Sequence, residues 1–183
     1  MFRWKDLYNV PNLLTLFRIL CIGFVVMAFR FGQIPLALLF YLVAAATDVL
    51  DGYIARRWKL VTSIGKLLDP FADKCMLVAV LSCMCVQRMV PLYILIIVFI
   101  KELVLVISAS ALLGKKDVVV SANWIGKASA LLFFCAVVLT FFHSYVKPYD
   151  NILMLVATVG AYFSMAQYGY LNIYKPYLAK KKT

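Results

Sequence analysis

The sequence predicts an all-α integral membrane protein, a bundle of six transmembrane helices preceded by a short interfacial segment at the N-terminus. Hydrophobic residues make up 65% of the 183 residues, against roughly 45–50% in a water-soluble protein. Charged residues account for only 15%, too few to cover a surface that faces water, so the exterior must face lipid. The apolar residues also gather into six long stretches. We expect one membrane domain, residues 1–183.

Each stretch is long enough to cross about 30 Å of hydrocarbon at about 1.5 Å per residue. The predicted spans are residues 13–29, 35–54, 67–86, 90–113, 125–142 and 152–173. The predicted interfacial segment, residues 2–8, mixes aromatic side chains with Arg3 and Lys5. We expect no cleavable signal peptide, because the first stretch can span the bilayer and lacks a small-residue cleavage site.

Basic residues orient the predicted bundle. The chain has 19 Lys and Arg against 8 Asp and Glu, a net charge of +11. With both termini in the cytoplasm, most loop cations lie on the cytoplasmic side, as the positive-inside rule requires. That side holds Arg3, Lys5, Arg56, Arg57, Lys59, Lys66, Lys115, Lys116, Lys175, Lys180, Lys181 and Lys182, and the outer side holds Arg30, Arg88 and Lys147. We expect a cytoplasmic-membrane protein whose basic surface meets anionic lipids and binds no nucleic acid.

Four of the eight acidic residues lie between positions 48 and 73. Asp48 and Asp51 are three residues apart, and Asp69 and Asp73 are four apart, so each pair lies on one face of its helix. The short connection between the second and third spans predicts antiparallel neighbours whose acidic pairs converge. The alternative is that basic residues nearby neutralise the carboxylates as ordinary ion pairs, the candidates being Arg56, Arg57, Lys66 and Lys74.

Converging carboxylates repel one another unless cations lie between them, and near a membrane their charge is costly. Oxygen ligands without Cys or a nearby His favour Mg²⁺ or Mn²⁺ over Zn²⁺. Four such groups suggest two metal ions, the arrangement that neutralises phosphates in displacement reactions. Gly52, Ala55 and Gly65 leave room for a ligand beside the acidic pairs, and Arg56 offers a planar fork for phosphate oxygens.

This pattern resembles the signature of the CDP-alcohol phosphotransferase (CDP-alcohol phosphatidyltransferase) family. The matching run is Asp48-x-x-Asp51-Gly52-x-x-Ala55-Arg56, eight further residues, then Gly65-x-x-x-Asp69-x-x-x-Asp73. The opening, residues 9–18, is similar to that of phosphatidylglycerophosphate synthases and of cardiolipin synthases that use CDP-diacylglycerol. The resemblance covers the first four spans well and the last two loosely.

The resemblance implies transfer of a phosphatidyl group from CDP-diacylglycerol to an alcohol, with release of CMP. It implies that Asp48, Asp51, Asp69 and Asp73 hold two Mg²⁺ or Mn²⁺ ions, and that Asp73 is also the base for the incoming hydroxyl. By the same resemblance, the CDP-binding residues are Gly52, Ala55, Arg56 and Gly65. It also implies a homodimer.

The acceptor is less closely defined than the donor. Arg18, Lys101 and Lys127 are cations inside predicted spans, and we expect them to bind an acceptor phosphate. Alternatively, Lys101 pairs with Glu102, and Lys127 extends to the interface. Glycerol 3-phosphate is the favoured acceptor. Phosphatidylglycerol is the alternative, because Lys101 and Ser129 stand where phosphatidylglycerophosphate synthases usually carry Arg and a second Lys.

A small cation transporter is the rival from another functional class. Its acidic cluster would be an ion path through the bundle. That function gives no reason for Gly52, Ala55, Arg56 and Gly65 to stand beside the carboxylates, and it predicts no need for a nucleotide.

Overall fold

The structure is a computed structural model and describes residues 10–58, 65–112 and 124–169. All regular secondary structure in these ranges is helical. The helices are α1 (Val10–Arg30), α2 (Ile34–Arg57), α3 (Gly65–Val86), α4 (Leu92–Leu112), α5 (Trp124–Thr140), α6 (His143–Val146) and α7 (Tyr149–Gly169). The all-α prediction is therefore confirmed for the part of the chain that is described.

Each predicted span coincides with one long helix, and α6 is a single additional turn between α5 and α7. By length and composition, Asn12–Arg30 in α1 and Ile34–Ile54 in α2 can each cross a membrane, and Gly126–Thr140 is a shorter apolar helix. The count of six spans remains a prediction. The proposed interfacial segment, residues 2–8, and the last residues of the fourth and sixth predicted spans lie outside the described residues.

Large apolar side chains cover much of the surface of these helices. Leu20 is 63% exposed, Val49 70% and Phe163 63%, and many others are exposed to a similar degree. Contiguous apolar surface on this scale does not persist in water. The helices thus have the surface of a membrane protein, as the composition predicted.

The chain divides into two units, Met1–Gln87 and Arg88–Thr183. In the first unit, the extensive contacts between described helices are those of α1 with α2 and of α1 with α3. The sequence predicts that α2 and α3 are direct neighbours, whereas among the described residues α1 packs extensively against each of them. The core of this unit combines small residues such as Cys21, Ala44 and Ala72 with larger ones such as Phe29 and Leu81.

A tight turn makes α1 and α2 antiparallel. The amide of Gly32 donates to the carbonyl of Phe29 (3.1 Å), and the amide of Gln33 donates to that of Ala28 (2.9 Å). This pair of bonds is the Schellman arrangement, which needs a left-handed residue after the helix. Gly32 provides it with φ of 70°, a conformation that costs glycine little.

Two contacts near opposite ends show that α1 and α3 run parallel. Near the start of both helices, the Thr15 hydroxyl donates to Asp69 at 2.5 Å. Near their ends, Gln87 Nε2 just beyond α3 donates to the Phe29 carbonyl at 3.1 Å. All four acidic residues therefore lie at the end of this unit that holds the start of α1.

In the second unit, α7 packs against α5 and α4. Small residues allow a close approach between α5 and α7: the Ser129 hydroxyl donates to the Gly160 carbonyl at 3.2 Å, and a Cβ added at Gly126 would lie 3.2 Å from Ser164 Oγ. The Tyr162 hydroxyl donates to the Ile97 carbonyl of α4 at 2.7 Å. At the turn between α5 and α7, His143 Nδ1 lies 2.5 Å from Asp150 Oδ2.

Candidate active site

The site begins on one face of α1. Asn12, Thr15 and Arg18 are three residues apart, and all three side chains are buried. The spacing of three places them one above another on the same face of the helix. Arg18 is only 2% exposed and is the largest fully buried side chain among the described residues. A buried guanidinium needs anionic partners, because its desolvation is otherwise too costly.

Three aspartates surround the Arg18 guanidinium. Arg18 Nη1 lies 2.7 Å from Asp73 Oδ1 on α3, and Arg18 Nη2 lies 2.9 Å from Asp48 Oδ1 on α2. Nη2 also donates to Asp51 Oδ2. Carboxylates from α2 and α3 therefore converge on a side chain of α1, which confirms the convergence expected from their spacing but adds a cation between them.

The three carboxylates differ in accessibility. Asp51 is 3% exposed, whereas the side chains of Asp48 and Asp73 are 44% and 47% exposed. Asp51 is thus the inner member of the cluster, and Asp48 and Asp73 are its open members. A substrate approaching from outside would reach Asp48 and Asp73 first.

Asp69 is held next to this cluster by a different partner. Its Oδ1 accepts a hydrogen bond of 2.5 Å from the Thr15 hydroxyl, one turn before Arg18 on α1. The charge of Asp69 acts on both Asp51 and Asp73, so the four carboxylates form one electrostatic group. Pro70 follows directly and lies inside α3, where it removes the amide that would bond to the Lys66 carbonyl.

A cavity of about 140 Å³ opens beside Arg18, Asp48 and Asp73. Its remaining wall is mostly apolar and is formed by Tyr41, Ala44, Ala45, Met76 and Leu77. These residues precede the aspartates on α2 and follow them on α3, so the apolar wall continues from the charged cluster toward the middle of both helices. A ligand with a charged group joined to an apolar portion fits such a wall.

The predicted CDP-binding residues lie at the ends of helices next to the carboxylates. Gly52 follows Asp51 directly in α2, and Gly65 is the first residue of α3. The backbones of Ala55 and Arg56 belong to the last turns of α2, but their side chains lie outside the described part of the structure. The structure therefore shows Gly52 and Gly65 near the cluster and leaves the roles of all four residues as predictions.

Two of the predicted acceptor ligands belong to the second unit. Lys101 on α4 is largely buried, and its Nζ lies 2.6 Å from Glu102 Oε1 and 5.7 Å from the centre of the Phe133 ring. The pairing with Glu102 is the alternative considered from the sequence. Lys127 on α5 is exposed, and its Nζ lies 5.5 Å from the centre of the Trp124 ring. The third, Arg18, binds the carboxylates described above.

Sequence reasoning missed two features of the cluster. As the alternative to metal ions it considered only basic residues close in sequence to the aspartates, whereas Arg18, 33 positions before Asp51 and 55 before Asp73, binds three of them. The sequence also did not predict the contact of Thr15 with Asp69. The one available signal was the spacing of Asn12, Thr15 and Arg18, which places an arginine on a polar face within an apolar span.

The donor chemistry of the cluster suits a divalent cation. Its ligands are carboxylate oxygens, with no thiolate or imidazole among the contacts described above, and such oxygens select Mg²⁺ or Mn²⁺. A cation, the Arg18 guanidinium, already lies between three of the carboxylates. Within residues 10–58, 65–112 and 124–169, no group of three or more His, Cys, Asp or Glu side chains is arranged as a metal centre.

Comparison with known proteins identifies the family. Residues 8–163 match the family model described as CDP-alcohol phosphatidyltransferase. A CDP-diacylglycerol–glycerol-3-phosphate 3-phosphatidyltransferase of Haemophilus influenzae is 33% identical over 171 residues, which is 88% of this chain and 91% of the relative. The protein of the same name from Salmonella choleraesuis is 35% identical over 88% of this chain and 93% of the relative.

A third relative carries a different name. A cardiolipin synthase (CMP-forming)/mitochondrial hydrolase fusion protein of Schizosaccharomyces pombe is 32% identical over 108 residues, 59% of this chain and 18% of that protein. The family model covers both units of the chain, so the match does not depend on the acidic signature alone. The chain belongs to the CDP-alcohol phosphatidyltransferase family of enzymes, as the signature predicted.

Proposed function

We propose that this protein transfers the phosphatidyl group of CDP-diacylglycerol to glycerol 3-phosphate and releases CMP. One observation carries the proposal: carboxylates from two helices converge at one point, beside a cavity whose further wall is apolar. A CDP-linked lipid has the same two parts, a diphosphate to be neutralised and an apolar portion next to it. Glycerol 3-phosphate is favoured because the relatives aligned over most of this chain are named for it.

The reaction needs one base and one leaving group. The acceptor hydroxyl oxygen attacks the phosphorus that carries the diacylglycerol, and the bond from that phosphorus to the bridging oxygen of the diphosphate breaks. CMP leaves with that oxygen. Asp73 accepts the hydroxyl proton, and its 47% exposed side chain is open to an incoming substrate. Asp51, which is buried, is poorly placed for that role.

Asp48, Asp51, Asp69 and Asp73 are the residues that would hold Mg²⁺ or Mn²⁺. When bound, the two ions supply positive charge that neutralises the diphosphate and the developing charge on the leaving oxygen. The protein's own contribution is positional: Thr15 fixes the direction of the Asp69 carboxylate, and the packing of α1 against α2 and α3 brings the four carboxylates to one end of the unit. Such positioning accounts for much of the rate of phosphoryl transfer.

The cytidine diphosphate is assigned to Gly52, Ala55, Arg56 and Gly65. Gly52 and Gly65 present backbone without a side chain beside the carboxylates, so a ligand can come close. Arg56 can bind two phosphate oxygens at once through its planar guanidinium. Gly52 lies next to Asp51 in the same turn of α2, which supports a nucleotide site beside the carboxylates.

The acceptor is assigned to cationic side chains, with Lys127 the most accessible of the three candidates. Lys127 is exposed and held near Trp124, whereas Lys101 is paired with Glu102 and Arg18 with three aspartates. The second candidate function is cardiolipin synthesis with phosphatidylglycerol as the acceptor. It is favoured by the similarity to the fusion protein named as a cardiolipin synthase.

We also propose the setting in which the enzyme acts. Six spans follow from the six apolar stretches. The distribution of basic residues puts both termini and the carboxylate cluster on the cytoplasmic side, and a basic cytoplasmic surface attracts anionic lipids. The cytoplasmic leaflet is where a water-soluble acceptor could reach the open carboxylates Asp48 and Asp73. A homodimer is proposed on the family resemblance.

CMP release distinguishes these functions. Purified protein in lipid micelles should release CMP from CDP-diacylglycerol when glycerol 3-phosphate is added, and less when phosphatidylglycerol, inositol phosphate or serine replaces it. Faster release with phosphatidylglycerol would establish the cardiolipin alternative. A cation transporter would instead move ions across reconstituted vesicles and release no CMP with any acceptor.

A further inference from the structure

We propose that Arg18 and the divalent cations compete for the same carboxylate oxygens, so that Arg18 is a resident counter-cation which must withdraw for the metals to bind. The inference rests on the proposed metal-dependent function. It concerns a residue outside the acidic signature, on a helix that contributes no carboxylate to the cluster.

Arg18 occupies carboxylate oxygens that a metal ion would also need. Its two terminal nitrogens bind Asp73 Oδ1, Asp48 Oδ1 and Asp51 Oδ2, three of the oxygens available for a metal. Mg²⁺ requires its oxygen ligands at about 2.0–2.1 Å in near-octahedral geometry. A guanidinium and a divalent ion cannot both lie between the same oxygens, because both are cationic and each excludes the other's volume.

The permanent charge of Arg18 also means that it has to move when a metal ion binds. Arginine stays protonated in proteins, so Arg18 cannot relieve the conflict by losing a proton and has to move. With Arg18 in place, the four aspartates and the guanidinium carry a net charge of −3. This residual negative charge would still attract a divalent cation, which then meets Arg18 as its competitor.

The Arg18 side chain also has unused hydrogen-bonding capacity. Its Nε is buried and has no hydrogen-bond partner among the described residues. Arg18 lines the cavity beside the cluster, so the guanidinium has adjacent space that is not filled by protein. A guanidinium that leaves the carboxylates would therefore face this cavity with donors suited to phosphate oxygens.

Manganese binding tests the competition directly. Free Mn²⁺ can be measured by electron paramagnetic resonance during titration of the full-length protein in detergent, without substrate. Arg18→Gln should tighten Mn²⁺ binding by at least about 10-fold, since one set of charged hydrogen bonds no longer opposes the metal. Arg57→Gln, a change of an exposed arginine at the end of α2, should leave the affinity unchanged. Weaker or unchanged binding in Arg18→Gln would overturn the proposal.

A second measurement needs no variant, in case Arg18→Gln does not fold. The parent protein is treated with phenylglyoxal, which modifies accessible arginines, in chelator and in saturating Mg²⁺, and the modified residues are identified by mass spectrometry. Arg18 should be protected in chelator and react in Mg²⁺, while Arg57 should react in both. Continued protection of Arg18 in saturating Mg²⁺ would refute the withdrawal.

The outcome is separable from that of the proposed function. CMP release by the parent protein tests the reaction, whereas Mn²⁺ affinity and arginine reactivity test the competition. A protein that binds Mn²⁺ more tightly after Arg18→Gln, yet whose parent releases no CMP, would retain the competition and refute the enzyme activity. The reverse result would retain the activity and refute the competition.

Discussion

Asp73 Oδ1 on α3 lies 2.7 Å from Arg18 Nη1 on α1. The residue that we propose as the base is thus tied to a helix that contributes nothing to the acidic signature. Through the same guanidinium it is linked to Asp48 and Asp51 on α2. Any change at Asp73 therefore has to be judged both for its effect on proton transfer and for its effect on this ion-pair network.

Asp73→Asn separates these two effects. The amide keeps an oxygen that can accept from Arg18 but cannot take a proton from the acceptor. CMP release should fall by on the order of 10²–10⁴, the usual contribution of a positioned base, while binding of CDP-diacylglycerol stays largely intact. Turnover is measured by CMP release and donor binding by displacement of a labelled CDP-lipid.

Asp48→Asn and Asp51→Asn serve as the comparison. Both remove a proposed metal ligand without touching the base, so they should weaken the binding of metal and of nucleotide as well as turnover. If Asp73→Asn turned over like the parent while binding the donor normally, Asp73 would not be the base.

Activity should require Mg²⁺ or Mn²⁺. Four aspartates in one electrostatic group would repel a diphosphate, and a divalent ion reverses that repulsion. Dialysis against a chelator should abolish CMP release, and readdition of Mg²⁺ or Mn²⁺ should restore it, whereas Ca²⁺ should restore less because its larger coordination sphere suits the site poorly. Full turnover in chelator would exclude metal dependence.

The sequence predicted the helices well because lipid imposes a simple pattern. Each apolar stretch long enough to span forms one helix, and the described ends of that helix differ from the predicted bounds by only a few positions. The turn of α6 was missed, because its four residues lie in the predicted connection between the fifth and sixth spans and are too few to show a helical pattern. The acidic pairs were predicted to converge because helical spacing fixes which residues share a face.

The partners of those carboxylates could not be predicted in the same way. Arg18 meets Asp51 only because α1 packs against α2, and local spacing carries no information about contacts between residues 33 positions apart. The contact of Thr15 with Asp69 depends in the same way on the parallel packing of α1 and α3. A pairing of residues adjacent in sequence can be considered without knowing the packing. The pairing of Lys101 with Glu102 was considered in this way, and the structure shows it.

Thr15→Val tests whether the contact with Asp69 matters for the reaction. Valine has nearly the same shape as threonine but cannot donate the 2.5 Å hydrogen bond to Asp69. Loss of a partner that orients a metal ligand typically costs 10- to 100-fold in metal affinity or activity, and we expect a reduction of about this size in CMP release. Thr15→Ser, which keeps the hydroxyl, should behave like the parent. Equal activity of the valine and serine variants would contradict a positioning role.

The contact between His143 and Asp150 should stabilise the second unit. Asp150 is fully buried, and its Oδ1 has no hydrogen-bond partner among the described residues, so the contact of Oδ2 with His143 carries more weight. His143→Ala should lower the free energy of unfolding by roughly 1.5–3 kcal/mol, the value of a hydrogen bond to a charged group. Thermal or denaturant unfolding in detergent, followed by circular dichroism, measures it.

Two further variants serve as controls for the stability change in His143→Ala. Lys147→Ala removes an exposed side chain next to the same turn and should change stability little. Replacing both His143 and Asp150 by Leu should recover much of the lost stability, because removing both members of a buried pair is less costly than removing one. If His143→Ala were as stable as the parent, the contact would make no net contribution.

Lys127→Ala tests the assignment of the acceptor. Lys127 is exposed near Trp124, so its ammonium group is available to a phosphate without first breaking an ion pair such as that of Lys101. If glycerol 3-phosphate is the acceptor, loss of one charged hydrogen bond should raise its KM about 10- to 150-fold and leave the KM for CDP-diacylglycerol nearly unchanged. With phosphatidylglycerol the same change should matter less, because two lipid tails and a single phosphodiester charge dominate its binding.

The measurement is acceptor-dependent CMP release in matched lipid micelles, with Lys147→Ala as the control. An equal loss with both acceptors, or weaker binding of the donor, would show that Lys127 does not bind the acceptor phosphate.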